Sequence, residues 1–254
     1  MDRIIEEYFS TDVMFDPDNL DKVLEGFWFT VRLSLIAGVT SLVFGLFLAV
    51  LRQTPGRWGA LVRWPTIAYI DIFRGVPALL TILIVSLSLG ALSAPDPETG
   101  EDGPLPRFLG VPDWFGLPSP FWYGVIALTL TYGAYLAEVY RAGIEAVSGG
   151  QMEAARSLGM SHGRAMISVV IPQAFRIILP PLTNELILLT KDSSLVYILG
   201  LSLGGYELTK YGREGMNSAA NLTPIVVIGL CYLLITLPLS IVVRRMESRA
   251  ERAR

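Results

Sequence analysis

Residues 149–159 read GGQMEAARSLG, a short polar segment between two long apolar stretches. Ser148 and Gln151 have the spacing of a capping box, which predicts that a helix begins there. Gly159 can end that helix in a left-handed turn, and Ser161 can cap the helix that follows. The sequence therefore predicts an isolated short helix, distinct from the apolar segments on either side.

The predicted helix has one apolar stripe, made of Ala154, Ala155 and Leu158, beside the polar residue Glu153. A short amphipathic helix on a loop is suited to a groove on a partner protein. The same pattern is also typical of a helix that lies on the lipid surface. The local sequence alone leaves both interpretations open.

The composition of the whole chain indicates a membrane protein. Hydrophobic residues make up 52% of the 254 residues, charged residues make up 17%, and the mean hydropathy is +0.51. A soluble domain would carry about 25% charged residues. The single cysteine, Cys231, excludes an internal disulfide and a cysteine-based metal cluster, and the single histidine, His162, gives no basis for a histidine-rich site. We expect no metal site and no cleavable signal peptide, since the first twenty residues are acidic.

Five apolar stretches are near or above the roughly 20 residues that a helix needs to cross the hydrocarbon core of a bilayer. Because the backbone must satisfy its own hydrogen bonds there, these spans are predicted to be helices. The predicted spans are residues 27–51, 67–92, 121–140, 177–203 and 222–243. The predicted fold class is thus an all-α, polytopic membrane protein with five transmembrane helices.

The lysines and arginines between the spans predict the orientation. Twelve of the twenty lie in one set of connections and five in the other, and the remaining three lie within the spans. The richer side is normally the cytoplasm. The N-terminus is therefore predicted outside and the C-terminus inside, which places the 149–159 helix in the cytoplasm between spans three and four.

This topology divides the chain into an external N-terminal segment, a transmembrane domain and a cytoplasmic tail. The transmembrane domain contains an external proline-rich loop and a cytoplasmic loop around the short helix. The external N-terminal segment is predicted at 1–22, the transmembrane domain at 23–245 and the cytoplasmic tail at 246–254. The external proline-rich loop is predicted at 93–119 and the cytoplasmic loop at 141–176.

Several motifs resemble those of one transporter family. The segment around residues 149–172 resembles the EAA loop of ABC-importer permeases. It contains Glu153-Ala154-Ala155, then three residues and Gly159, and the sequence VVIP follows ten residues after the glycine, at 169–172. The stretches GAYLAEVYR at 133–141 and YIDIFRGVP at 69–77 are similar to the polar amino-acid uptake branch of that family. The run from Asn184 to Leu195 is a third such stretch. The departures from the family pattern are mild, at Asp71, Val76, Val169, Ile171 and Ser193, and the resemblance covers residues 24–245.

The resemblance implies a transmembrane subunit of an ATP-driven importer that moves a polar amino acid by alternating access, in the cytoplasmic membrane of a prokaryote. Its EAA loop would be a coupling helix docked in a groove of a separate ATP-binding cassette ATPase subunit, which would carry the ATP and Mg. Further implied partners are a second permease subunit, identical or paralogous, an extracytoplasmic amino-acid-binding protein and membrane lipid, with no nucleic acid. The implied coupling residues are Gln151, Glu153, Ala154, Ala155, Leu158 and Gly159.

The chain itself is not expected to be an enzyme or to hold a cofactor. The dipeptide Gly-Lys never occurs, so there is no GxxxxGK[ST] phosphate-binding loop. One histidine on the predicted cytoplasmic side does not support a Ser-His-Asp set of catalytic residues.

The fourth predicted span carries charges deep in the membrane. At 100° per residue Asn184, Glu185, Lys191 and Asp192 share one helix face. Such a face must contact protein or a water-filled cavity, so these four residues are candidates for a substrate pathway. An internal ion-pair lock between helices explains them equally well. Two rival functions also remain at this point, an ion-coupled secondary transporter and a membrane scaffold that transports nothing.

Overall fold

The computed structural model describes residues 17–95, 103–106, 109, 114–199, 207–219 and 221–252. Throughout these residues the regular elements are helices, which confirms the all-α class. The α-helices are α1 (Pro17–Arg52), α2 (Gly56–Gly75), α3 (Ala78–Ser93), α4 (Ser119–Glu145), α5 (Gly149–Ser157), α6 (His162–Ala165), α7 (Ile171–Asp192), α8 (Leu208–Ala219) and α9 (Thr223–Arg252). A π-helical turn, Met166–Val170, joins α6 to α7, and 3₁₀ turns cover Trp114–Gly116 and Ser193–Leu199.

Three helical segments in the described part of the chain are long and apolar enough to cross a membrane: Leu20–Arg52, His162–Leu199 and Thr223–Ser248. A fourth is added if α2 and α3 count as one broken span. The predicted third span, 121–140, lies within α4, which is not among these candidates. The membrane class is therefore supported, and the count of five spans stays a prediction.

The second predicted span, 67–92, is not one helix. Helix α2 ends at Gly75, the chain bends at Val76, and α3 begins at Ala78. Pro77 explains the break, because proline has no N–H for the helical ladder and disfavours the helical conformation of the residue before it. The prediction of an uninterrupted span was wrong at this point.

Several predicted boundaries lie wholly or partly outside the described residues. They are most of the external segment 1–22, about half of the proline-rich loop 93–119, the last four residues of the fourth span and the end of the tail 246–254. The predicted cytoplasmic loop 141–176 is described and is largely helical, because α4 continues to Glu145 and α7 already begins at Ile171.

The chain forms two compact units. The first contains Met1–Val39, Val76–Thr129 and Leu188–Leu237, and the second contains Thr40–Gly75, Leu130–Ile187 and Pro238–Arg254. The core of the first unit brings together Phe29 and Leu33 of α1, Ile82 of α3, Phe121 of α4 and Val196 of the 3₁₀ turn. Phe29 and Phe121 meet edge to face, with ring centroids 5.2 Å apart, which is a favoured aromatic geometry.

A fully buried carboxylate in the first unit caps α8. Glu207 accepts hydrogen bonds from the backbone N–H of Thr209 at 2.8 Å and from the hydroxyl group of Thr30 at 3.4 Å. The hydroxyl of Tyr232 also donates to it. Burial raises the pKa of Glu207 from its usual 4.5 to about 7 in spite of these donors.

The raised pKa of Glu207 makes the stability of the protein depend on pH. Below pH 4.5 the carboxyl is protonated in both the folded and the unfolded chain, so its full contribution is present. As the pH rises to about 7 the unfolded chain loses the proton first, and the stability falls by about 2–3 kcal/mol. We expect thermal unfolding of the purified protein at pH 5 and pH 8 to show this loss, and Glu207→Gln to remove it. A wild-type protein whose pH dependence equals that of the variant would contradict the assignment.

In the second unit α4 and α7 approach closely at Gly143. A Cβ atom on Gly143 would lie 1.8 Å from Cγ2 of Ile178, so no side chain fits unless the Ile178 side chain or one of the helices moves. Ile178 packs with Leu136 and Leu182 in a buried cluster beside this contact. The glycine is thus required for the packing of the two helices.

We predict that Gly143→Ala destabilises the protein by roughly 1–3 kcal/mol, the usual cost of overpacking. Adding Ile178→Ala should restore part of the loss, because it removes the clashing methyl group. Gly163→Ala is the matched control, since nothing lies within 4 Å of the added methyl. Thermal unfolding measures all three, and equal melting temperatures for the two alanine variants would refute the close approach.

The long helices α1 and α9 expose many apolar side chains. In the most apolar stretch of 18 residues, only 11% of α9 is buried within the chain, compared with 44% of α1. Leu230, Leu233, Leu234 and Leu237 are between 47% and 67% exposed. Such a surface requires lipid or a partner subunit around it.

Candidate functional site

The segment 149–159 is an isolated helix, as the sequence predicts, but it begins differently. Ser148 occupies the N-cap position without a side-chain hydrogen bond to the helix, so the predicted capping box was wrong. The backbone N–H of Gln151 donates to the carbonyl of Ser148 at 2.9 Å. The side chain of Gln151 accepts a hydrogen bond from Nε2 of Gln173, on α7, at 3.4 Å. This long-range partner replaces the local one that the capping box requires.

The end of α5 agrees with the prediction. Gly159 has φ +85°, a left-handed conformation that favours glycine. Its N–H donates to the carbonyl of Arg156 at 3.0 Å, and the N–H of Met160 donates to the carbonyl of Ala155 at 3.2 Å. This pair of bonds is the Schellman motif. The chain then reverses into α6, whose first turn is capped by Ser161 through the N–H of Arg164 at 3.4 Å.

The predicted apolar stripe of α5 is divided between two faces. Ala155 is buried, with 5% of its surface exposed, whereas Ala154 is exposed and Leu158 is 86% exposed. Gln151 and Glu153 are exposed as well. Ala154 and Leu158 are four residues apart and share one outward helix face. The segment therefore presents an apolar side chain among polar neighbours on its outer side.

The inner face of α5 is attached to the rest of the second unit. Met152 packs in a cluster with Val147, with Met166 and Val170 of the π-helical turn, and with Ala174 of α7. Sequence patterns did not predict that Met152 and Gln173 hold the segment in place. The spacing of Met152 and Ala155, three residues apart, could have indicated the inner face. No pattern in the sequence indicates the pairing of Gln151 with Gln173, because 22 residues separate them.

An arginine–glutamate network lies at the end of α4 that leads to α5. Arg141 donates through Nε to Oε1 of Glu138 at 3.0 Å, and it pairs with Glu145 as well. Glu138 also forms an ion pair with Arg52 of α1. These side chains are partly buried, apart from Glu145, which is mostly exposed. The network joins α1 to α4, and the segment 149–159 extends from α4 immediately after it.

The four charged and polar candidates for a substrate pathway all lie on α7, which is continuous from Ile171 to Asp192. A single helix keeps them on one face. Asn184 and Lys191 are exposed, and Glu185 and Asp192 are half-buried. Within the described ranges no group of three or more His, Cys, Asp or Glu side chains could hold a metal ion.

The chain matches a family of transport proteins over most of its length. A family described as "Binding-protein-dependent transport system inner membrane component" matches residues 41–252. A probable glutamine ABC transporter permease protein of Bacillus subtilis, GlnM, is 34% identical over 93% of this chain and 96% of its own length. The arginine transport system permease protein ArtQ of the same organism is 31% identical over 89% of this chain and 91% of its own length.

Solved structures agree with the sequence matches. A chain of a crystal structure described as an amino acid ABC transporter with histidines has a TM-score of 0.73 and 30% identity, and the match covers 91% of this chain and 94% of that chain. A chain of the inward-facing MetNI methionine ABC transporter has a TM-score of 0.65 at 20% identity, over 91% of this chain and 99% of its own, and shows the shared fold alone. These matches confirm the resemblance to ABC-importer permeases and favour it over a secondary transporter or a scaffold. The chain belongs to the family of binding-protein-dependent transport system inner membrane components, and it is the transmembrane subunit of an ATP-driven importer.

Proposed function

We propose that this chain moves a polar amino acid into the cell by alternating access, and that segment 149–159 couples it to a separate ATPase subunit. One observation carries the coupling proposal: α5 is fixed on its inner face by Ala155 and exposes 86% of Leu158 on its outer face. Burial of this leucine in a groove of the ATPase would contribute about 1.5–3 kcal/mol to binding. The substrate class is supported by relatives described as permeases for glutamine, arginine and glutamate/aspartate.

In this proposal Gln151, Glu153, Ala154 and Leu158 contact the groove of the ATPase, and Ala155 and Gly159 keep the helix in shape. Movement of α5 would pass to α7 through the contact of Met152 with Val170 and Ala174. Close-packed interiors transmit such displacements because they contain few voids. ATP and Mg would bind only to the partner, and this chain would contribute no catalytic residue.

The proposed setting is the cytoplasmic membrane of a prokaryote, with five spans, the N-terminus outside and α5 in the cytoplasm. The distribution of Lys and Arg supports this orientation, with twelve in the connections on one side and five on the other. The proposed assembly contains two ATPase subunits, a second permease subunit and an extracytoplasmic amino-acid-binding protein. The family description names binding-protein-dependent transport, which supports the last of these.

Transport by the purified complex tests the proposal. Native mass spectrometry of the gently solubilised complex should first report the subunit stoichiometry and any retained amino acid. The complex should then be reconstituted in proteoliposomes with its binding protein and a panel of radiolabelled amino acids. We expect uptake of at least one polar amino acid that requires ATP. Uptake that follows an ion gradient without ATP would contradict the proposal.

We further propose that the polar face of α7 lines the substrate pathway. The face carries an amide, a carboxylate and an ammonium group in Asn184, Glu185 and Lys191, and a zwitterionic amino acid requires partners of both signs. The alternative is that Lys191 and Asp192 only lock helices together.

Neutralisation of Lys191 and Asp192 distinguishes the two roles. We predict that Lys191→Met lowers the uptake rate at least about tenfold, corresponding to about 1.4 kcal/mol, while the ATPase remains bound. Under the lock hypothesis each single change strands a charge and lowers thermal stability, and the double change restores both stability and uptake. Under the pathway hypothesis Lys191→Met/Asp192→Asn does not restore uptake. Full recovery of transport in the double variant would exclude the pathway hypothesis and support the ion-pair lock.

A further inference from the structure

The second unit contains a basic cavity beside an apolar groove. The cavity has a volume of about 290 Å³ and is lined by Arg52, Arg63 and Arg141 together with Glu145. The groove has a volume of about 760 Å³ and is lined almost entirely by apolar side chains. Both are lined by Gln53 and Ile144, so the two spaces adjoin.

The charge of the cavity is positive. Arg52 and Arg141 form ion pairs with Glu138, and Arg141 also pairs with Glu145. Arg63 donates to the backbone carbonyl of Thr54 at 3.3 Å and pairs with none of the described carboxylates. Three guanidinium groups therefore face two carboxylates. The excess charge favours an anion, and Arg63 has donors to offer it.

Helix α2 indicates the level of the cavity in the membrane. Trp58 is 85% exposed and Trp64 is 66% exposed, and they lie on the same helix as Arg63. Exposed tryptophans concentrate at the boundary between hydrocarbon and water, which is also the level of lipid head groups. Arg63, which lines the cavity, is thus followed directly by Trp64, a residue type that is typical of that boundary.

The groove provides the second half of the site. Leu46, Val50 and Phe175 line it and are 52%, 61% and 54% exposed, so its wall is open to an apolar occupant. A free anion such as phosphate would leave this wall uncovered. An amphiphile with an anionic head and a hydrocarbon tail matches the cavity and the groove together, and basic pockets between membrane helices bind such head groups.

We propose that the cavity and the groove together bind one anionic phospholipid of the surrounding bilayer. The head group lies among Arg52, Arg63 and Arg141, and an acyl chain lies along α1 and α7. The bound lipid covers the apolar wall near Ile144, which is at the end of α4 that leads to segment 149–159.

Native mass spectrometry of the intact permease–ATPase complex tests the head-group site. The delipidated complex is titrated with phosphatidylglycerol and, in parallel, with phosphatidylcholine. We expect one tight phosphatidylglycerol adduct, and Arg63→Gln to weaken it about fivefold, the effect of one basic side chain near a head group. Arg57→Gln is the matched control, because it removes the same charge from an exposed position of the same helix outside the cavity. Equal binding of the two lipids, or equal effects of the two variants, would overturn the proposal.

A second pair of variants tests the groove without altering charge. Val50→Trp should fill the groove and abolish the tight adduct, whereas Val43→Trp, on the same helix and 66% exposed, should leave it intact. Competition by inorganic phosphate as effective as that by the lipid would show a simple anion pocket and refute the proposal. Lipid binding that appears only after the ATPase is removed would show that a protein partner occupies the site, with the same consequence.

Discussion

Replacing Leu158 by aspartate should release the ATPase subunit from the permease and leave the permease folded. Leu158 is 86% exposed and makes no contribution to the core, so its loss costs the fold little. If it fills a pocket on the ATPase, a charge in its place removes an anchor and buries an unpaired carboxylate. Anchors of this kind contribute about 2–4 kcal/mol, which corresponds to roughly 30- to 1,000-fold in affinity.

The affinity of the purified permease for the ATPase subunit measures this effect directly. Leu158→Met is the matched control, since it keeps an apolar side chain of similar volume, and it should bind within about threefold of the wild type. The melting temperature of each variant without the ATPase checks that the permease is intact. An ATPase that binds Leu158→Asp as tightly as the wild type would exclude α5 as the docking element.

Replacing Gly159 by isoleucine should uncouple ATP hydrolysis from uptake. Gly159 has φ +85°, and an added Cβ atom would meet nothing within 4 Å, so the first effect of a side chain there is backbone strain. The left-handed conformation costs an L-residue about 1–2 kcal/mol and a β-branched residue more. The chain can avoid this strain by unwinding the last turn of α5, which breaks the bond from Met160 N–H to the Ala155 carbonyl.

We expect Gly159→Ile to lower the rate of ATP-driven uptake about tenfold or more, corresponding to about 1.4 kcal/mol, while ATP hydrolysis continues. Two controls separate the backbone effect from the added bulk. Gly159→Asn should retain most of the uptake, because asparagine tolerates the left-handed conformation. Gly163→Ile adds the same side chain at a position where the backbone is helical and a Cβ atom would meet nothing within 4 Å, and it should transport normally. Normal uptake by Gly159→Ile would show that the turn is not needed for coupling.

Features that depend on residues close together in the sequence were predicted better than features that depend on distant residues. The turn at Gly159 and the cap at Ser161 depend on residues within a few positions, and both were predicted correctly. The capping box failed because Gln151 has a partner on another helix, Gln173. A local rule cannot anticipate a competitor that lies 22 residues away.

The buried face of α5 and the break in the second predicted span were also predicted incompletely. The sequence predicted one apolar stripe on α5, but the structure turns Ala155 inward and Leu158 outward, because Met152 rather than Leu158 fills the space beside the π-helical turn. The interruption of the second span at Pro77 could have been read from the sequence, since proline ends a helix. Hydropathy alone concealed it, because the residues on both sides are apolar. The contact of Gly143 with Ile178 depends on two helices that meet only in the folded chain.

Photo-crosslinking from Leu158 in the assembled complex tests the central claim most directly. A benzophenone-bearing amino acid replaces Leu158 in one sample and Phe115, which is 91% exposed and lies on the side predicted to be external, in another. The coupling role of α5 and its cytoplasmic orientation together predict an adduct with the mass of permease plus ATPase from position 158, and none from position 115. Adducts with lipid alone from position 158, as a helix lying on the membrane surface would give, would contradict the account. An ATPase adduct from position 115 would contradict it equally.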